Sequence, residues 1–157
     1  MPMKVIEGNI VDIHNRRIFP GAVVIEEGKI KSVTPNQGIY HHYIAPGFID
    51  AHVHIESSML TPVEFSRLVI KRGTVAVIND PHEIANVLGK RGVEFMIADS
   101  RNALIKIFFT IPSCVPATPF DCSGGCITSD DVYGFLETGN FVGLSEVMNV
   151  PGVLNGD

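Results

Sequence analysis

The chain has 157 residues, with 45% hydrophobic and 18% charged side chains and a formal net charge of −5. That length suits one domain, or a small domain plus part of another, and the composition is that of a chain able to bury a core rather than a disordered one. The acidic balance argues against a nucleic-acid or membrane-surface role, since either would favour a basic patch.

Met1-Pro2-Met3-Lys4 leads into alternating residues, so no secretory signal is expected. The first forty-five residues read as a small all-β unit, part of a β-sandwich. Lys4 to Ile13 and Ala22 to Val33 are rich in Val and Ile, with Gly8-Asn9, Pro20-Gly21 and Glu27-Gly28-Lys29 predicted as turns. The pattern changes at Pro46-Gly47. Phe48 to Ile55 reads as a buried strand. Thr61 is a candidate N-cap ahead of Pro62, and a helix from Pro62 to about Lys71 stops at Arg72-Gly73. Thr74 to Ile78 then reads as a strand, Gly92 to Ala103 as a helix and Ile105 to Ile111 as a strand. A helix opened by Ser129 runs to Thr138, and Phe141 to Val147 closes the series as a strand. Regular alternation of strand and helix implies βαβ units and a parallel sheet. The longest apolar runs are too short to span a bilayer. A cytoplasmic location follows, where the three cysteines stay reduced. Cys122 and Cys126 lie in Cys-Ser-Gly-Gly-Cys without a second pair at zinc-finger spacing, so no metal site is expected there.

The residues that carry chemistry fall at predicted strand ends, where parallel α/β proteins bind ligands. His52 and His54 are two apart on one strand, so both imidazoles point to one side and can share a divalent metal. Glu146 lies at the end of the fourth of these strands; an acid there is costly unless paired or bound to metal. Asp80-Pro81-His82-Glu83 follows the second. His82 is a candidate proton shuttle, and Asp80 and Glu83 are candidates to orient a ligand histidine or touch substrate. An Asp-Pro turn leading into a helix is the plainer reading of that segment. Ser113 and Cys114, between prolines after the third strand, line a pocket or serve structure alone. His14, His41 and His42 read as ordinary surface residues.

Together these residues resemble the amidohydrolase superfamily, whose first-strand metal motif matches Pro46-Gly47-Phe48-Ile49-Asp50-Ala51-His52-Val53-His54. Within it, His54-Ile55-Glu56-Ser57-Ser58-Met59, Asp80 to Gly89, Pro112 to Thr118 and Glu146-Val147-Met148-Asn149 are similar to the adenine deaminases. The resemblance implies a (β/α)8 TIM barrel, of which residues 46–157 are about the first four strands, and a small β-sandwich to which residues 1–45 belong. It implies hydrolytic deamination of adenine to hypoxanthine and ammonia at a binuclear divalent metal centre, with manganese or iron as the metal and zinc also possible. His52, His54 and Glu146 would be metal ligands, His82 and Glu83 catalytic, and Asp80, Ser57, Ser113 and Cys114 substrate-binding or orienting. A complete barrel needs ~250 residues, so the 157-residue chain is expected to be inactive by itself and to form a homo-oligomer or take up a complementing C-terminal chain. Another cyclic-amide amidohydrolase and a non-catalytic half-barrel module stand as alternatives.

Overall fold

The computed structural model describes residues 2–156 and divides into two compact units between Pro46 and Gly47. The first unit is a single four-stranded sheet of β1 (Lys4–Asp12), β2 (Arg17–Glu26), β3 (Lys29–Pro35) and β4 (Tyr43–Ile44), in the order β3-β2-β1-β4. β2 and β3 form a hairpin across Glu27-Gly28, both at positive φ (52° and 76°), the backbone that a two-residue hairpin turn requires. The other two predicted turns do not form. Gly8 pairs with Gly21 and Asn9 with Pro20 in the middle of the β1–β2 ladder. Proline is tolerated at position 20 because β3 runs out there: its last pair is Gly21 with Pro35. The Pro20 carbonyl accepts from Asn36 N–H (2.9 Å) on that side, so the missing N–H removes no bond to β1.

The second unit is mixed α/β. Its sheet contains β5 (Phe48–Val53), β6 (Thr74–Asn79), β7 (Lys106–Ile111) and β8 (Phe141–Leu144), all parallel and in sequential order. The helices are α1 (Pro62–Val69), α2 (His82–Leu88), α3 (Lys90–Ser100), α4 (Ser129–Glu137) and α5 (Val150–Asn155). Ile55, Phe65, Val77, Met96, Ile105 and Phe109 make one core cluster between sheet and helices; Ala85, Val93, Ile111, Val115, Ile127 and Phe135 make another.

Several elements depart from expectation. β5 is exposed along most of its length, because it is an edge strand with β6 as its one partner among the described residues. Thr61 stands at the N-cap of α1 but makes no side-chain cap bond; Asp99 on α3 accepts the Val63 N–H instead (2.8 Å). The cap of α4 is Thr128 rather than Ser129. Thr128 exchanges bonds with Asp131 in a capping box, which needs an acid three residues after the cap. β8 ends at Leu144, so Glu146 lies beyond the strand. α2 is the helix that an Asp-Pro turn at Asp80-Pro81 leads into, and α5 lies outside the predicted set.

The Cys-Ser-Gly-Gly-Cys segment has a packing explanation. Gly124 and Gly125 both donate backbone N–H to the Asn86 carbonyl (2.7 and 3.0 Å), satisfying an orphan acceptor at the C-terminal end of α2. A Cβ on Gly125 would lie 2.2 Å from Gly89 N and 2.6 Å from Ala85 O. Those are backbone atoms that cannot swing aside. Gly125→Ala is therefore expected to destabilise the fold by about 1–3 kcal/mol, as overpacking does. Urea denaturation at constant m-value measures it, and an unchanged midpoint contradicts the close approach.

Candidate metal centre

Alternation along β5 places the two histidines. Val53 and Ile55 pack into the helix-facing core, so His52 and His54 face the other side of the sheet. The end of the strand is held tightly: Val53 O accepts from Asp80 N–H (2.9 Å), and Ile55 N–H donates to the buried Asn79 side chain (2.9 Å).

His54 has a defined tautomer. Its Nδ1 lies 2.9 Å from the Asp80 carbonyl and 2.9 Å from the Glu83 carboxylate. Both groups are acceptors, so Nδ1 carries the proton, and a neutral ring leaves a lone pair on Nε2. That lone pair faces His52 Nε2 at 3.1 Å and Glu146 Oε1 at 3.6 Å. His52 Nε2 lies 3.9 Å from the same carboxylate oxygen. Lone pairs and a carboxylate converging in this way repel one another unless a cation or a proton sits among them.

Asp80, read from the sequence as an orienting or substrate-binding group, joins the cluster. His52, His54, Asp80 and Glu146 each offer a ligand atom, and all of these lie within 4.8 Å of one another. Asp80 is fully buried. Its Oδ2 accepts from the Ser145 hydroxyl and from His82 Nδ1 (3.2 Å), while its Oδ1 has no hydrogen-bond partner among the described residues. A buried carboxylate oxygen without a partner is costly, and a bound cation would satisfy it. Imidazole and carboxylate donors suit zinc, iron and manganese, so the residues present fit a divalent metal.

His82 is buried, with both ring nitrogens engaged: Nδ1 to Asp80, and Nε2 donating to the Cys114 carbonyl (2.7 Å). Burial alone would push the imidazole down. The Asp80 carboxylate and the Cys114 carbonyl outweigh it and hold His82 pushed up to about 9. The ring therefore links Asp80 to Cys114 and offers no free nitrogen. Glu83 is half exposed and rests on His54. Ser57 is exposed, its backbone N–H closing a turn onto the His54 carbonyl (3.1 Å). Ser113 Oγ donates to the Glu146 carbonyl (2.6 Å). Burial pushes the Cys114 thiol up, but the Ser113 hydroxyl and the Met148 and Asn149 N–H groups bring it below its ordinary value. Cys122 and Cys126 are exposed and outside the ligand cluster. His14, His41 and His42 are exposed as well.

Sequence reasoning passed over Ser145 and Glu56. Ser145 adjoins Glu146, and that adjacency was its one signal. Burial pushes the Glu56 carboxyl up despite the Ile84 N–H (3.1 Å) on Oε1, and its Oε2 is buried without a partner among the described residues. Among the described residues no helix is long and apolar enough to cross a membrane.

Comparison with known proteins gives a consistent result. The profile of the Amidohydrolase family matches residues 43–148. The chain is 49% identical to an adenine deaminase of Methanosarcina acetivorans over 98% of its own length, and 50% identical to one of a Sulfurovum species over 96%. It is 48% identical to one of Borreliella afzelii over 97%. In each case it spans 28% of the relative's length.

Proposed function

Because the chain belongs to the amidohydrolase family, we propose that it supplies the first ligands of a metal-dependent hydrolase that converts adenine to hypoxanthine and ammonia. The names of the similar proteins support the substrate. The observation that carries the chemistry is the His54 Nε2 lone pair facing the Glu146 carboxylate at 3.6 Å. In this reading β5 to β8 are the first four strands of a (β/α)8 barrel, and residues 1–45 belong to a small β-sandwich.

His52, His54 and Glu146 hold the ion, with Asp80 beside them; the centre is binuclear, with manganese or iron preferred and zinc possible. A divalent ion bound there makes hydroxide available from water near neutral pH. The chain's own groups do the rest. Glu83 fixes the His54 tautomer and, being half exposed, can also carry a proton at its carboxylate. His82 acts through Asp80 as a positioning residue.

β5 and β8 each have one strand neighbour among the described residues, and Phe48, Ile49, Val142 and Leu144 are exposed. Unpaired edges recruit other chains. The 157-residue polypeptide is therefore expected to associate, with itself or with a complementing chain, in size-exclusion chromatography with light scattering. Metal analysis and ammonia release from adenine, with and without such a chain, test the function. We expect bound metal, and turnover that rises when the edges are covered. A metal-free protein in manganese, iron and zinc buffers overturns the metal reading, and a monomer with robust turnover overturns the need for a partner.

A further inference from the structure

Glu146 is the least constrained member of the cluster by secondary structure. β8 ends at Leu144, and the last bond that continues its ladder is Ser145 N–H to the Ile111 carbonyl (2.9 Å). The Glu146 side chain is half exposed, so packing does not fix it. Yet the ligand cluster needs its carboxylate at one place.

We propose that Ser113 and Cys114 are positioning residues that clamp the backbone immediately after the Glu146 Cα and so set its carboxylate toward His52 and His54. The proposal rests on the metal reading given above. The Ser113 hydroxyl donates to the Glu146 carbonyl (2.6 Å). Two residues further on, Met148 N–H donates to Cys114 Sγ (3.3 Å). The two clamping side chains are adjacent in sequence, and their targets are the ligand residue's own carbonyl and the N–H two residues on. Each supplies what its target lacks: a donor for a free carbonyl, an acceptor for a free N–H. The clamp is itself anchored. Cys114 is buried, and its carbonyl accepts from His82 Nε2 (2.7 Å). His82 is bonded through Nδ1 to Asp80, which also holds the Ser145 hydroxyl. The segment carrying Glu146 is thus tied by side chains to the ends of both β6 and β7. A purely structural role for these bonds would affect folding stability alone. A positioning role would also affect how well the carboxylate meets an ion, because ligand geometry tolerates little displacement.

The test is Mn(II) titration of the protein, with free Mn(II) followed by electron paramagnetic resonance, and thermal unfolding in chelator measured in parallel. Ser113→Ala and Cys114→Ala are each expected to weaken Mn(II) binding by about 10- to 100-fold, the usual cost of losing a group that orients a ligand. Ser113→Thr keeps the donor and Cys114→Ser keeps an acceptor, so both are expected to recover most of the affinity. Folded alanine variants that bind Mn(II) as tightly as the wild type overturn the clamp, whatever their melting temperatures. If Cys114→Ala does not fold, the half-exposed Ser113 position decides by the same criterion. A wild-type protein that takes up neither Mn(II) nor, by elemental analysis, iron or zinc overturns the metal reading and the clamp with it; the wild-type arm thus tells the two failures apart.

Discussion

Substituting His52 by alanine is expected to abolish ion uptake at the cluster and, in the complete enzyme, adenine deamination with it. His52 Nε2 stands 3.1 Å from His54 Nε2 and 3.9 Å from Glu146 Oε1, so it forms one wall of the space the ion would fill. Its side chain is about half exposed and makes no core contact. The fold should therefore survive, which separates loss of the ion from loss of structure. Removing groups that merely orient ligands costs about 10- to 100-fold, and removal of a ligand itself should exceed that range. The loss should appear in turnover rather than in substrate affinity alone, because the group removed serves the generation of the nucleophile. Metal content by elemental analysis and ammonia release check the two halves together. Near-normal turnover in His52→Ala would remove this residue from the centre.

Asp80→Ala is expected to be the most destabilising single change at the site. Asp80 is fully buried and serves His82 and Ser145 at once. Its removal leaves the buried His82 imidazolium without its counter-ion, a loss of about 3–5 kcal/mol for a buried pair broken from one side. Asp80→Asn retains an acceptor and should lose less. The pH dependence has a definite sign. His82 is raised from 6.5 to about 9 in the folded state, so its contribution is full below pH 6.5 and is lost as pH rises through 9. The gap between wild type and Asp80→Ala should narrow above that pH. Urea denaturation in the presence of chelator, from pH 6 to 10, measures this. A small, pH-independent loss would mean that the Asp80–His82 bond contributes little.

The sequence revealed the placement of His52 and His54 because strand alternation is a local property. A neighbour every second residue shares a face wherever the strand goes. The sequential strand order was legible for the same reason, from strands and helices taking turns. What escaped was decided by non-local partners. The turn at Asp80-Pro81 announced a helix after it, but not its extent: the C-terminal end of α2 is met by Gly124 and Gly125 some forty residues away. Gly8 and Pro20 carry turn-forming residue types, but the ladder between them overrides that preference. The cap of α4 is a local exception: Thr128 has Asp131 three residues on, whereas Ser129 has Val132 there. The engagement of both His82 nitrogens depends on Cys114, thirty-two residues downstream, and no spacing rule in one chain announces such a pair.

The order β5-β6-β7-β8 has an energetic corollary. His52 lies on the first of these strands and His54 just beyond its end, and Glu146 follows the last. An ion held by all three would link residues at the ends of the two outer strands. It can bind only while those strands curve toward each other, so occupancy and curvature are thermodynamically linked. By mass action, an ion present at a hundred times its dissociation constant adds about 2.7 kcal/mol to the folded state. On the proposed reading such a metal would be a cross-brace as well as a reagent, and the resistance of the second unit to unfolding would gauge how much metal its surroundings supply.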